Sequence, residues 1–233
     1  MLIPYPGEKS SIANFITPRI PTDIGTYIEP FGGMFGVFFS LNFMKMKRVR
    51  FVYSDIDYLN YNLFSQMRDS EAFIEMARET SVCRERYRSA LKGIIEGRDE
   101  ARLAIDWLIS LCCSKPDHGW TCDTEFEIFK MKFRAYKYHI DRISEIHNWD
   151  YKKTIREYDS EESFFYLDPP EKAYLTTEFS EGSHAELAGI LRSIKGRFVL
   201  SYRNFEGLRE LYSGFKIESV KTLSDTEFLI SNY

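Results

Sequence analysis

Three short segments bring together residue types that could do chemistry. Glu29-Pro30-Phe31-Gly32-Gly33-Met34-Phe35-Gly36 sets an acid ahead of a glycine turn. Glycines there let a ligand approach the backbone, and a helix after the turn would offer free amides and a positive dipole end. No Lys-Ser or Lys-Thr follows the glycines, which argues against a nucleotide hydrolase. Asp55 comes 19 residues after Gly36 and ends a second apolar run, where an acid can accept hydrogen bonds from ribose hydroxyls. Capping the helical pattern that follows is its competing role, and Asp57 competes for either. The third segment is Phe165-Tyr166-Leu167-Asp168-Pro169-Pro170. It ends an apolar run in one carboxylate and a carbonyl held still by two prolines. Such acceptors suit the hydrogens of an exocyclic amine and would enrich its nitrogen for attack on an electrophilic methyl.

An open α/β sheet would deliver all three segments to one edge, because ligands bind at the carboxyl ends of its strands. The apolar runs 26–31, 49–53, 163–168 and 197–202 predict strands. Helices are predicted at 37–46, around Leu59, Leu63, Phe64 and Met67, and at 205–212. Another is expected at 183–193, opened by a Ser183-His184-Ala185-Glu186 capping box. The closely spaced runs 216–222 and 227–233 predict a hairpin, hence an antiparallel edge on a parallel sheet. Residues 69–154 show almost no strand signal. Within them, Thr124-Glu125-Phe126-Glu127 predicts a capping box, and Phe126, Phe129, Phe133, Tyr136, Ile140 and Ile143 a long amphipathic helix. The expected fold is therefore α/β, a doubly wound, Rossmann-like sheet from residues 1–68 and 155–233, mostly parallel. Residues 69–154 form an inserted helical subdomain.

Composition bounds these readings. The chain has 233 residues, 44% apolar and 16% aromatic, with a net charge of -4. That suits one α/β domain with an insertion and excludes disorder as the main state. No apolar run approaches the roughly 20 residues of a membrane span. The first residues do not read as a signal peptide, and four cysteines crowded into one third of the chain suit a reducing cytoplasm. Cys113, His118 and Cys122 are too few and too loosely spaced for zinc, so no metal is expected. The mild acidic excess leaves room for a local basic patch. Lys130, Lys132, Arg134 and Lys137 interleave with Phe133, Tyr136 and Tyr138, as on a helix lying over phosphates. An ordinary solvated basic face is the competing account, and the position within the insertion favours DNA contact.

Taken in order, Tyr5-Pro6-Gly7-Glu8-Lys9, Glu29-Pro30-Phe31-Gly32-Gly33, Ser54-Asp55-Ile56-Asp57 and Asp168-Pro169-Pro170 resemble the Dam-like adenine-N6 DNA methyltransferases. Lesser matches are Asn148-Trp149-Asp150-Tyr151, Leu200-Ser201 and Ile230-Ser231-Asn232-Tyr233. The resemblance implies methyl transfer from S-adenosylmethionine to the N6 amine of an adenine in double-stranded DNA, the base leaving the stack. A partner restriction endonuclease is also implied. By the same resemblance, Tyr5 and Lys9 contact the cofactor. Glu29, Pro30, Phe31 and Gly33 cradle its methionine part, and Asp55 holds the ribose. Asp168 lies near both the methionine amine and the target amine, within a catalytic segment Asp168, Pro169, Pro170 and Glu171.

Glu171 departs from the pattern, because the family position is aromatic and stacks on the extruded adenine. Base–aromatic stacking is worth roughly 1–3 kcal/mol. Three readings follow: a weak or altered enzyme in which an aromatic such as Tyr174 takes over the stack, a relative that binds cofactor or DNA without useful turnover, or a deliberate alteration. Methylation of RNA or a small molecule is a further alternative, the latter disfavoured by the size of the insertion.

Overall fold

Apolar runs such as Phe164-Phe165-Tyr166-Leu167 can only be central strands, since both their faces need cover. The computed structural model describes residues 3–5, 9–97, 99–115, 119–170, 179–221 and 226–233. Its elements begin with α1 (Ala13–Ile16), β1 (Thr26–Glu29), β2 (Arg50–Ser54), α2 (Tyr58–Asp69), α3 (Glu71–Glu79) and α4 (Arg84–Glu96). There follow α5 (Glu100–Cys113), β3 (Ser114–Lys115), β4 (Gly119–Trp120), α6 (Thr124–Ile140), β5 (Ile143–His147) and α7 (Tyr151–Tyr158). The chain closes with β6 (Ser163–Leu167), α8 (Glu181–Leu191), β7 (Arg197–Arg203), α9 (Leu208–Leu211), β8 (Lys216–Lys221) and β9 (Thr226–Ser231). Two compact units result: Met1–Glu8 with Asp57–Ile146, and Lys9–Ile56 with His147–Tyr233.

The seven-stranded sheet has the order β5-β2-β1-β6-β7-β9-β8. Strands β2, β1, β6 and β7 are parallel neighbours, and β9 pairs antiparallel with both β7 and β8. The expected parallel sheet with an antiparallel C-terminal hairpin is thus present. Alternation along the strands sends Ile28, Val52, Phe165, Leu167, Phe198 and Leu200 to one face, where they pack with residues of α7, α8 and α9. Tyr27, Phe51 and Phe164 point the other way, with Tyr27 stacked on Phe164 at 5.8 Å. In the helical unit, α5 packs against α2, α3, α4 and α6. It buries Leu103, Ala104, Ile105, Leu108, Ile109 and Cys112.

Several local expectations are corrected. The helix expected at 37–46 is a single 3-10 turn, Phe38–Ser40, followed by irregular turns. Phe35, Phe38 and Phe43 must all reach the same aromatic cluster. Phe38 and Phe43 each lie against Phe51, at 5.3 and 5.4 Å, and a regular helix would turn some of these rings away. Helix α8 starts earlier than its expected box. Ser180 is the N-cap, and Ser183 Oγ accepts its N–H at 3.0 Å. Asp123, not Thr124, precedes α6, and it makes no side-chain cap. Ile143 opens strand β5 instead of ending α6. By contact, helix α2 and Tyr5 group with the helical unit.

Candidate functional site

Parallel register decides which chemistry-bearing side chains meet. Glu29 pairs with Tyr53 one residue before β2 ends, and Ile28 pairs with Phe165. Glu29, Asp55 and Asp168 therefore stand together at the carboxyl ends of the neighbouring strands β2, β1 and β6, where this class of sheet binds ligands.

The glycine turn is built onto the end of β2. Gly32 donates its N–H to the Ser54 carbonyl at 2.9 Å. Gly33 donates to Asp55 Oδ2 at 2.8 Å, and its carbonyl accepts the Tyr53 hydroxyl at 2.9 Å. A Cβ on Gly32 would sit 2.3 Å from the Tyr53 ring, and Gly33 has φ 47, so the close approach and the left-handed backbone both call for glycine. Because no long helix follows, the expected dipole end is missing. The anchored amide and the Asp55 carboxylate form this part of the site instead. Asp57 is the cap of α2, accepting the Leu59 N–H at 2.8 Å, so the capping role falls to it and not to Asp55.

Asn148 braces the same corner. Its Nδ2 donates to the carbonyls of Asp55 and Ile56, each at 2.9 Å, while the Asp55 N–H reaches the His147 carbonyl at 3.1 Å. Ser54 Oγ donates to the Trp149 carbonyl at 3.2 Å. His147 stacks on Trp149 with centroids 3.8 Å apart, and Asp150 caps α7 through the Lys153 N–H at 2.7 Å.

Glu29 is 2% exposed, and its Oε1 accepts from the Tyr27 hydroxyl at 2.6 Å and the Phe38 N–H at 3.1 Å. Burial pushes its carboxyl well above the usual range. The two donors oppose that shift, and the nearby Asp168 charge adds to it. Pro30 is buried, and Phe31 packs on Tyr151 at 5.1 Å and edge-on to Phe179 at 5.6 Å.

Around Asp168 lies a polar chain that sequence reasoning largely missed. The Ser201 hydroxyl donates to Asp168 Oδ1 at 3.0 Å and lies 2.8 Å from the Tyr166 hydroxyl. Lys9, 6% exposed, places Nζ 3.5 Å from Asp168 Oδ1 and 3.0 Å from Glu227 Oε1. Arg203 Nε is 3.7 Å from the same Glu227 oxygen. An acid opening an otherwise apolar strand was the available signal for Glu227, but only the β7–β9 register sets it opposite Arg203. Pro169 is buried; Glu171 and Tyr174 lie outside the described residues.

The remaining expected residues fall in the helical unit. Tyr5 Oη accepts from Asn60 Nδ2 at 3.2 Å, and Asn60 Oδ1 accepts the Trp107 indole N–H at 3.0 Å. Of the four cations on α6, two have structural partners. Lys130 donates to the Thr80 carbonyl at 3.1 Å at the end of α3 and pairs with Glu127 at 2.9 Å. Lys137 donates to the Arg68 carbonyl at 3.0 Å near the end of α2 and pairs with Asp141. Both supply a cation to helix carbonyls left without amide partners. Lys132 and Arg134 are exposed. A cleft of about 670 Å³ is lined by Arg78, Lys130, Arg134 and Lys137 together with Phe133 and Tyr138. The cysteines are free thiols, and burial pushes Cys113 up to about 12. Among the described residues no helix is long and apolar enough to cross a membrane.

The carboxylates of Asp55 and Asp168 beside an anchored glycine turn fit a ligand that offers hydroxyl and ammonium donors, as S-adenosylmethionine does. A family model described as D12 class N6 adenine-specific DNA methyltransferase matches residues 5–92 and 123–226. No curated protein is significantly similar to the chain.

Proposed function

The chain belongs to the D12 class of N6 adenine-specific DNA methyltransferases, and from that premise we propose that it transfers a methyl from S-adenosylmethionine to the N6 amine of adenine in double-stranded DNA. The observation that carries this reading is the meeting of Asp55, the Gly32-Gly33 turn and Asp168 at adjacent strand ends of a sheet of the family's class. When bound, the cofactor supplies an electrophilic methyl on a sulfonium. Asp55 would accept ribose hydroxyl hydrogens, and the Gly33 turn with Lys9 and Glu29 would border the amino-acid part. Asp168 and the Pro169 carbonyl would accept the two hydrogens of the target amine, fixing its lone pair toward the methyl. Rate then comes largely from orientation. Pro30, Phe31 and Pro170 complete the proposed contacts, and Lys132 and Arg134 are the α6 cations best placed to meet phosphates. A restriction endonuclease acting on the same sequence is the proposed partner.

Glu171 motivates a second reading, a relative that binds cofactor or DNA with little turnover. Glutamate offers no π-face to an extruded base and adds negative charge beside a polyanion. Tritium transfer from labelled cofactor to an adenine-containing duplex decides between the two. Incorporation that depends on Asp168 supports the first; calorimetric cofactor binding with no incorporation at high protein concentration supports the second. If the missing aromatic limits turnover, Glu171→Tyr raises the rate on the order of 10-fold to 100-fold. An unchanged or lower rate removes that explanation.

A further inference from the structure

Strand β9 carries one acid whose surroundings serve no hydrophobic or ladder purpose. Glu227 is 4% exposed, opens a run of buried residues, Phe228-Leu229-Ile230, and sits across from Arg203. Its Oε1 holds the Lys9 ammonium at 3.0 Å, with Arg203 Nε at 3.7 Å. Its Oε2 is buried without a hydrogen-bond partner among the described residues. A buried carboxylate left half-satisfied is costly unless the arrangement is used. Lys9 is the link, since the same Nζ stands 3.5 Å from Asp168 Oδ1, longer than a hydrogen bond and shorter than the ion-pair limit.

We propose that Glu227 is a positioning residue: it draws the Lys9 ammonium off Asp168, so that Asp168 is neutralised by a nearby cation yet keeps its acceptor strength for an amine. This inference rests on the methyl-transfer reading for its purpose, but not for its measurement. Among the described residues, the groups that act on Asp168 include Lys9 from the N-terminal segment, Glu29 from β1, Tyr166 from β6, and Ser201 and Tyr202 from β7, while Arg203 lies against Glu227. Glu227 stands behind Lys9 on β9. Replacing Glu227 by glutamine takes away one anion and leaves Asp168 to claim Lys9 more fully. Both changes favour the ionised form of Asp168, so its titration midpoint falls.

The test is carbon-13 NMR titration of the Asp168 carboxyl in the full chain. Glu227→Gln lowers the midpoint by roughly one pH unit, and Lys9→Met raises it. With wild-type methyl transfer established, Glu227→Gln also lowers kcat about 10-fold, and the acidic limb of its pH profile moves down with the NMR midpoint. A midpoint that does not move in Glu227→Gln overturns the proposal, as does one that rises. Should that variant fail to fold, Glu227→Asp carries the same reading. Withdrawing the carboxylate by one methylene lowers the midpoint by a smaller step, and an unmoved midpoint overturns the proposal. A wild-type chain that transfers no methyl removes the functional reading and leaves the midpoints to decide this one.

Discussion

Individual residues at this strand edge differ by environment more than by type. Asp55 anchors an amide, Asp168 faces a lysine and a serine, and Glu29 lies in the interior with two donors on one oxygen. The last has its carboxyl pushed well up, chiefly by burial. A group raised in the folded state stabilises the fold fully below its unfolded value of about 4.5, and that contribution is lost as pH rises toward the folded value. The wild-type chain should therefore lose stability from this group as pH rises above about 4.5. Glu29→Gln keeps an acceptor for Tyr27 and Phe38 and carries no charge to desolvate. Its unfolding midpoint should gain on the wild type as pH rises. Denaturant melts at pH 5 and pH 8 check this, and parallel pH dependence in the two proteins would refute it. Motif residues such as Asp55 and Asp168 were legible because they end apolar runs. Glu227 was hidden, and Ser201 was seen without its partner, because their partners lie 218 and 33 residues away in sequence.

At the scale of elements, α6 shows how an amphipathic pattern can carry two roles. Phe126, Phe129 and Phe133 form its buried stripe. Lys130 and Lys137 are half-buried and donate to carbonyls at the ends of α3 and α2, whereas Lys132 and Arg134 stay exposed. Lys130→Ala or Lys137→Ala should thus cost about 1 kcal/mol of stability. Lys132→Ala and Arg134→Ala should leave stability within about 0.5 kcal/mol. On duplex DNA the order reverses: each of the latter lowers the salt dependence of binding by about one unit of slope if it meets a phosphate. Urea melts and salt-titrated anisotropy measure the two effects separately, and a Lys130→Ala variant that loses only DNA affinity would reverse the assignment. The helix itself was readable from its period. The strand that follows it was not, because Ile143 continues the helical spacing while the backbone turns extended at Ile143–His147.

For the whole molecule, a ligand held by residues of one unit should stabilise that unit first. Residues 9–56 and 147–233 carry Lys9, Gly33, Asp55 and Asp168, so saturating cofactor at about 100 times its Kd should add roughly 2.7 kcal/mol to their unfolding. Hydrogen exchange should slow most in β1, β2, β6 and β7, with the Gly33 amide among the protected sites; protection confined to α3–α6 would place the ligand elsewhere. Sequence alone determined that this would be an open α/β sheet, since uninterrupted apolar runs need cover on both faces. It also determined the antiparallel hairpin, because two runs so close together have no room for a crossover. The tertiary structure alone decided what those acids do. Register sets Glu29, Asp55 and Asp168 side by side, burial raises the Glu29 carboxyl, and pairing of β7 with β9 brings Glu227 behind Lys9. Charge state depends on solvent and neighbours in space, and neither is written in the local order of residues.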